Sequence, residues 1–355
     1  MIPFLFILCF LITILLTPVI KSFALKIGAI DHPAERKVHK KQTPLLGGLA
    51  IYISFMIGVI ILMPDRSYTI PIICGAAIVT LTGLIDDIFT LSVKWKLFGQ
   101  SIAAVVVIIG GVDIEFIALP FDRTLEFGLF GIPLTFLWII AITNAINLID
   151  GLDGLAAGVS SIVLTTISII AAMEGNIVIF ALAVLLLAST SSFLFYNFHP
   201  AKIFMGDTGS LFLGFMIAVI SILGFKSITF FTLIVPIIIL GVPISDSVFA
   251  IIRRLVNKKP LAAPDNAHLH HCILNLGFSH RATVVLIYGL SAFFAICAVL
   301  LAKSTLLGGI IITVIFILTL ELVVEMVGLV HRRYRPMLNF IQRLISLKNS
   351  QYSIF

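Results

Sequence analysis

Along most of this chain the polar positions are confined to short intervals between long apolar runs. A membrane-spanning helix needs about 20 apolar residues. On that criterion the pattern predicts helices near residues 2–20, 46–63, 70–85, 97–112, 129–146, 155–172, 177–197, 210–225, 229–250, 282–302 and 305–327. Segment 113–128, DIEFIALPFDRTLEFG, is mixed in character and interrupts the pattern before the fifth helix. No repeat with a period of tens of residues and no low-complexity tract is apparent. The expected fold is all-α, a polytopic membrane helix bundle of about 11 transmembrane helices, with the N-terminus outside and the C-terminus cytoplasmic. Residues 1–330 then form one transmembrane domain, and residues 331–355 form a basic cytoplasmic tail.

Composition agrees. Hydrophobic residues make up 60% of the chain and charged residues 11%, against about 25% charged in a soluble domain; the mean hydropathy is +1.19. The opening MIPFLFILCF has no basic residue ahead of its apolar stretch, so a cleaved signal peptide is not expected. Lys21 and Lys26 follow the first span, which favours an outside N-terminus. Eleven spans assign every loop to a side. Segments 21–45, 86–96, 147–154, 198–209, 251–281 and 328–355 then hold all the Lys and Arg residues except Arg66, Arg123, Lys226 and Lys303, and all eight histidines. Such a bias is what the positive-inside rule requires.

The net charge of +6 is thus a cytoplasmic-face charge. It holds topology and attracts anionic lipid head groups, above all through HRRYRP and MLNFIQRLISLK in the tail. The basic residues are spread over separate loops, which argues against a nucleic-acid partner. Cys9, Cys74, Cys272 and Cys297 are scattered and form neither a disulfide framework nor a zinc ribbon.

Chemistry enters where acids collect at the inner ends of apolar runs. NAINLIDGLDG brings Asn147, Asp150 and Asp153 to the end of the fifth helix. GLIDDIFTLSVKWK ends the third with adjacent Asp86 and Asp87, followed by Lys94 and Lys96. NFHPAKIFMGDTGS places Asp207 just before the eighth. Carboxylates near lipid are costly and face the bundle or a water-filled cavity. Packed together they raise one another's pKa, which a divalent cation relieves. Oxygen ligands beside phosphates suit Mg²⁺. Read singly, each acid could be a helix cap, Asp207 above all, and Asp86–Asp87 a solvated ion-pair loop. Their occurrence on one face favours a site.

Two further segments carry candidates. APDNAHLHHC holds His268, His270 and His271. No second Cys/His cluster completes four zinc ligands, so phosphate recognition by imidazoles that gain charge near pH 7 is the preferred reading. RKVHKKQTPLLGG supplies Arg36, Lys37 and His39 and then a close-packing entry to the second helix. Acids for Mg²⁺, bases for phosphates and helices open to lipid suit an enzyme joining a soluble diphosphate donor to a lipid acceptor. A cation transporter is the alternative, with Asp246, Glu321 and Glu325 as acids inside spans.

These five segments, in order over about residues 31–275, resemble the signature segments of the polyprenyl-phosphate N-acetylhexosamine-1-phosphate transferase family. The resemblance implies transfer of GlcNAc-1-phosphate from UDP-GlcNAc to undecaprenyl phosphate with release of UMP, as the first step of teichoic acid or a related cell-wall polymer. The alternative is the family branch that uses UDP-MurNAc-pentapeptide. HLHH in place of three consecutive histidines, eleven spans and the basic tail favour UDP-GlcNAc. By the same resemblance Asp207 and Asp153 are the metal ligands, for Mg²⁺ or Mn²⁺ in its place. Asp86, Asp87, Asp150 and His268 form the catalytic group. Lys96, Asn147, Asn197, Phe204, His270, His271, Arg36, Lys37 and His39 bind substrate. The family also implies the plasma membrane, a cytoplasm-facing site and room for a homodimer.

Overall fold

The computed structural model describes residues 1–31, 42–63, 66–119, 123–224, 234–258, 260, 267–329 and 335–339. Among them run the helices α1 (Ile2–Ile27), α2 (Gly47–Leu62), α3 (Arg66–Phe89), α4 (Val93–Ile109), α5 (Gly131–Ile149), α6 (Leu155–Glu174) and α7 (Ile177–Asn197). They continue as α8 (Gly206–Gly224), α9 (Ile234–Ile239), α10 (Gly241–Val256), α11 (Leu269–Asn275), α12 (His280–Ala302) and α13 (Leu306–Val327). Two short antiparallel hairpins pair β1 (Ile30–Asp31) with β2 (Thr43–Pro44) and β3 (Phe116–Leu119) with β4 (Arg123–Glu126). Among the described residues eight helices are long and apolar enough to cross a membrane: α1, α3, α5, α6, α7, α8, α12 and α13. The chain is an all-α, multi-pass bundle.

Each of the eleven runs contains helix, but fewer meet the length criterion. Helices α2 and α4 have 16 and 17 residues. The run 229–250 is broken at Leu240 into α9 and α10. Pro236 and Pro243 each stand in the first turn of their short helix. A proline is tolerated there, because the N–H it lacks would have no intrahelical partner. The mixed segment 113–128 forms the β3–β4 hairpin, and the histidine segment forms an additional helix, α11.

Helix α8 lies at the centre. Every residue from Thr208 to Ile222 is buried, and the helix packs on α2, α3, α5, α6 and α7. Lipid tails are as apolar as leucine, so helices associate in a membrane through close contact between small residues. A Cβ on Gly48 would overlap the Gly209 backbone, and one on Gly83 would overlap the backbone at Asp207–Thr208. The TPLLGG entry is stitched to the segment ahead of α8: Phe204 N donates to Pro44 O, Gly47 N to Phe204 O and Gly48 N to Met205 O, each at 2.9 Å. This packing sets the C-terminal ends of α3 and α5 beside the N-terminal end of α8.

Candidate active site

The acids at these three helix ends open onto one cavity of about 480 Å³, into which Asp31, Asp86, Asp87, Asp150, Asp153 and Asp207 all face. Asp86 and Asp87 end α3, where the helix dipole disfavours negative charge. The two find different partners. Asp87 reaches across to the first turn of α8 and accepts from Asp207 N at 2.8 Å, Thr208 N at 3.0 Å and Thr208 Oγ1 at 2.6 Å. Gly206, at φ 70°, lets this happen, since a Cβ there would overlap the Asp87 carboxylate. The cap of α8 is therefore Asp87 from another helix, and the Asp207 side chain is left for the cavity.

Asp207 is met by Lys96 Nζ at 2.5 Å and by Asn147 Nδ2 at 3.0 Å; Asn147 also donates to Ser210 Oγ at 2.8 Å. Lys96 bridges on to Asp86 at 2.6 Å, and Asp86 accepts from Leu91 N at 2.6 Å. Asp86, Asp87 and Asp207 each bring one oxygen into a group spanning no more than 4.8 Å. This all-oxygen set fits a hard divalent cation. Asp150, in the turn after α5, is pushed up to about 8, first by burial and then by the charges of Asp207, Asp87 and Asp153. The cavity thus holds more negative charge than it stabilises.

On the other wall, Asp153 Oδ2 accepts from Ala201 N at 3.0 Å and lies 2.7 Å from His199 Nδ1. The sequence reading paired Asp153 with Asp207 around one ion. Both line the one cavity, and Asp153 also lies within 4.8 Å of ligand atoms of His199 and His280. Asn197 and Phe204 line the same cavity. Asn197 is buried and ties two loops, accepting from Gly154 N and donating to Ile203 O, both at 3.1 Å. Tyr288 of α12 fixes the far side of that turn by donating to Gly154 O at 2.5 Å.

The three histidines part company. Asp246, fully buried on α10, lies 2.9 Å from His268 Nδ1 and accepts from Leu269 N at 2.7 Å, so it anchors the start of α11. His270 is buried against Gly151. Burial, then the neighbouring His271, push His270 down to about 3. With its ring out of water, burial favours the uncharged form in the ligand-free site. His271 lines the cavity. Arg36, Lys37 and His39 lie outside the described residues. Sequence reasoning left Asp31, His199 and His280 without a role. All three lay in segments already assigned to the inner face, and only their convergence marks them.

A sequence profile of glycosyl transferase family 4 matches residues 69–225, the stretch from α3 to α8. The chain is 47% identical over 345 residues to a Bacillus subtilis protein named probable undecaprenyl-phosphate N-acetylglucosaminyl 1-phosphate transferase, covering 96% of each. It is 33% identical to the decaprenyl-phosphate N-acetylglucosaminephosphotransferase of Mycobacterium leprae, over 85% of this chain and 86% of the relative. It is also 33% identical to the phospho-N-acetylmuramoyl-pentapeptide-transferase of Halalkalibacterium halodurans, over 83% of this chain and 95% of the relative.

Proposed function

Since this chain belongs to glycosyl transferase family 4 and is one of its membrane-bound phosphotransferases, we propose that it transfers GlcNAc-1-phosphate from UDP-GlcNAc to undecaprenyl phosphate. The products are UMP and undecaprenyl-diphosphate-GlcNAc, a starting point for teichoic acid or a related wall polymer. One observation carries the reading. Six carboxylates line one cavity and Lys96 bridges two of them, Asp86 and Asp207, in a chain similar to a probable GlcNAc 1-phosphate transferase over 96% of its length.

In this reading Asp207 and Asp86 hold Mg²⁺, and Asp87 fixes Asp207 by fixing the start of α8. Mg²⁺ held there would supply positive charge to the donor's diphosphate. Lys96, which lies between Asp86 and Asp207, would offer its ammonium to the phosphates. Asn147 keeps Asp207 aimed at the cavity. An oxygen of the acceptor phosphate attacks the β-phosphorus of the donor, and UMP leaves with the bridging oxygen. The acceptor needs no strict general base, because a phosphate monoester with a second pKa near 6 is largely dianionic at pH 7. Positioning and charge do the work, as in phosphoryl transfer generally. Phe204 and Asn197 line the nucleoside end, and His271 serves the diphosphate. The site faces the cytoplasm from the plasma membrane, where nucleotide sugars are available.

The test uses purified full-length protein, Mg²⁺ and undecaprenyl phosphate, with UDP-GlcNAc and UDP-MurNAc-pentapeptide in parallel. Lipid product from UDP-GlcNAc is expected. Product from the pentapeptide donor only would overturn the sugar assignment.

A further inference from the structure

Asp153, His199 and His280 come from three separate segments: the α5–α6 turn, the loop after α7, and the first residue of α12. One side-chain ligand atom from each lies within 4.8 Å of the other two. The geometry is held from several sides. The two imidazoles stack with centroids 4.2 Å apart. Arg281 Nη2 donates to His199 O at 3.2 Å, and Ala201 N holds Asp153 Oδ2 at 3.0 Å. His280 Nε2 is inaccessible to solvent and has no hydrogen-bond partner among the described residues. A buried ring nitrogen in that state is a costly group.

We propose that Asp153, His199 and His280 form a binding site for a borderline transition metal such as Zn²⁺, separate from the all-carboxylate group of Asp86, Asp87 and Asp207. The two sites differ in kind. Two imidazoles and a carboxylate suit Zn²⁺ or Co²⁺, while carboxylate oxygens alone suit Mg²⁺. Ligands around a tetrahedral Zn²⁺ at about 2.0–2.1 Å sit about 3.4 Å from one another. Closing the set around an ion requires the stacked rings to turn until one nitrogen of each points at a common centre, with His199 Nδ1 giving up its contact to Asp153 for a bond to the metal. A fourth position is left for water or ligand. Asp153 and His280 line the same cavity wall as Asn197 and Phe204, so a metal here occupies space next to the nucleoside end. The consequence is inhibition by Zn²⁺ in competition with the nucleotide donor. That consequence rests on the functional reading above; the metal site itself does not.

The probe is Co²⁺ added to full-length detergent-solubilised protein with Mg²⁺ saturating. One equivalent should bind, with the intense visible bands of four- or five-coordinate Co²⁺ bearing nitrogen ligands. His199→Ala and His280→Ala should each weaken Co²⁺ binding by more than about tenfold, and Asp207→Asn should leave it unchanged. His280→Cys, which restores a ligand, should recover binding relative to His280→Ala; a ring needed only for packing would give no such recovery. No saturable visible band, or binding lost in Asp207→Asn and kept in both histidine variants, would overturn the site. Zn²⁺ should raise the KM for UDP-GlcNAc at unchanged kcat. If Co²⁺ binds with the expected pattern and that KM does not move, the metal site stands and the placement of the donor falls.

Discussion

Asp87 and Asp207 show how two like residues acquire different work. Both oxygens of Asp87 accept hydrogen bonds from the start of α8, while Asp207 faces Lys96 and Asn147. Asp207→Asn should therefore keep the fold and its melting temperature yet lose at least about 100-fold in kcat, or about 2.7 kcal/mol of barrier. Asp87→Ala should instead lower stability by about 1–2 kcal/mol through loss of the cap. Thermal unfolding and turnover of both variants check the contrast; near-normal turnover in Asp207→Asn would remove it from the metal site.

Asp150 and His270 make a pH prediction with opposing signs. Asp150 is raised from 3.8 to about 8, so its contribution is complete below 3.8 and is lost as pH rises through 8. His270 is lowered from 6.5 to about 3, so its contribution is present above 6.5 and is lost as pH falls through 3. The two slopes oppose each other between 3.8 and 6.5. From pH 6.5 to 8 the His270 slope is gone, and the Mg²⁺-free protein should lose stability as Asp150 ionises. Melting curves against pH should show this fall, and Asp150→Asn should flatten it.

At the scale of elements, helix contacts rest on backbone proximity. Gly48→Ala inserts a Cβ into the Gly209 backbone of α8, and neither helix can yield as a flexible side chain would. A loss of about 1–3 kcal/mol or more is expected, read as a lower melting temperature in detergent; an unchanged value would mean that α2 and α8 are farther apart. Glu325, unexplained by pattern, is fully buried on α13 and accepts from Met337 N and Leu338 N, each at 2.7 Å. It caps the short helical turn that follows α13. Glu325→Ala should expose residues 335–339 to limited proteolysis without changing kcat, because neither Glu325 nor that segment lines the cavity.

For the whole molecule, the charge bias predicts one inner face carrying all the acidic helix ends. Single cysteines introduced at positions 90 and 205 should react only from the cytoplasmic side, and one at position 66 only from outside. Outside labelling at 205 would separate Asp207 from the cytoplasmic nucleotide pool and defeat the proposed reaction. Apolar side chains on α1 and α13 are widely exposed, among them Leu15 at 70% and Leu307 at 70%. They belong against lipid, which leaves α8 and its neighbours to build the interior.

Hydropathy and charge are local properties, so the sequence alone determined the membrane bundle, the helical runs and the acids at three helix ends. It also marked TPLLGG as a close-packing entry, since only glycine admits a second backbone at that distance. What it could not determine depends on partners far along the chain. Asp87 and the backbone it caps are separated by 120 positions, and no local pattern says which acid caps and which faces the cavity. The closeness of Asp153 to His199 and His280, the burial of His270, and the burial of Asp246 and Glu325 against backbone N–H groups arise in the same way. Each was decided by which helix end packing brought opposite it, because desolvation and hydrogen bonding act over a few ångströms in space and not along the sequence.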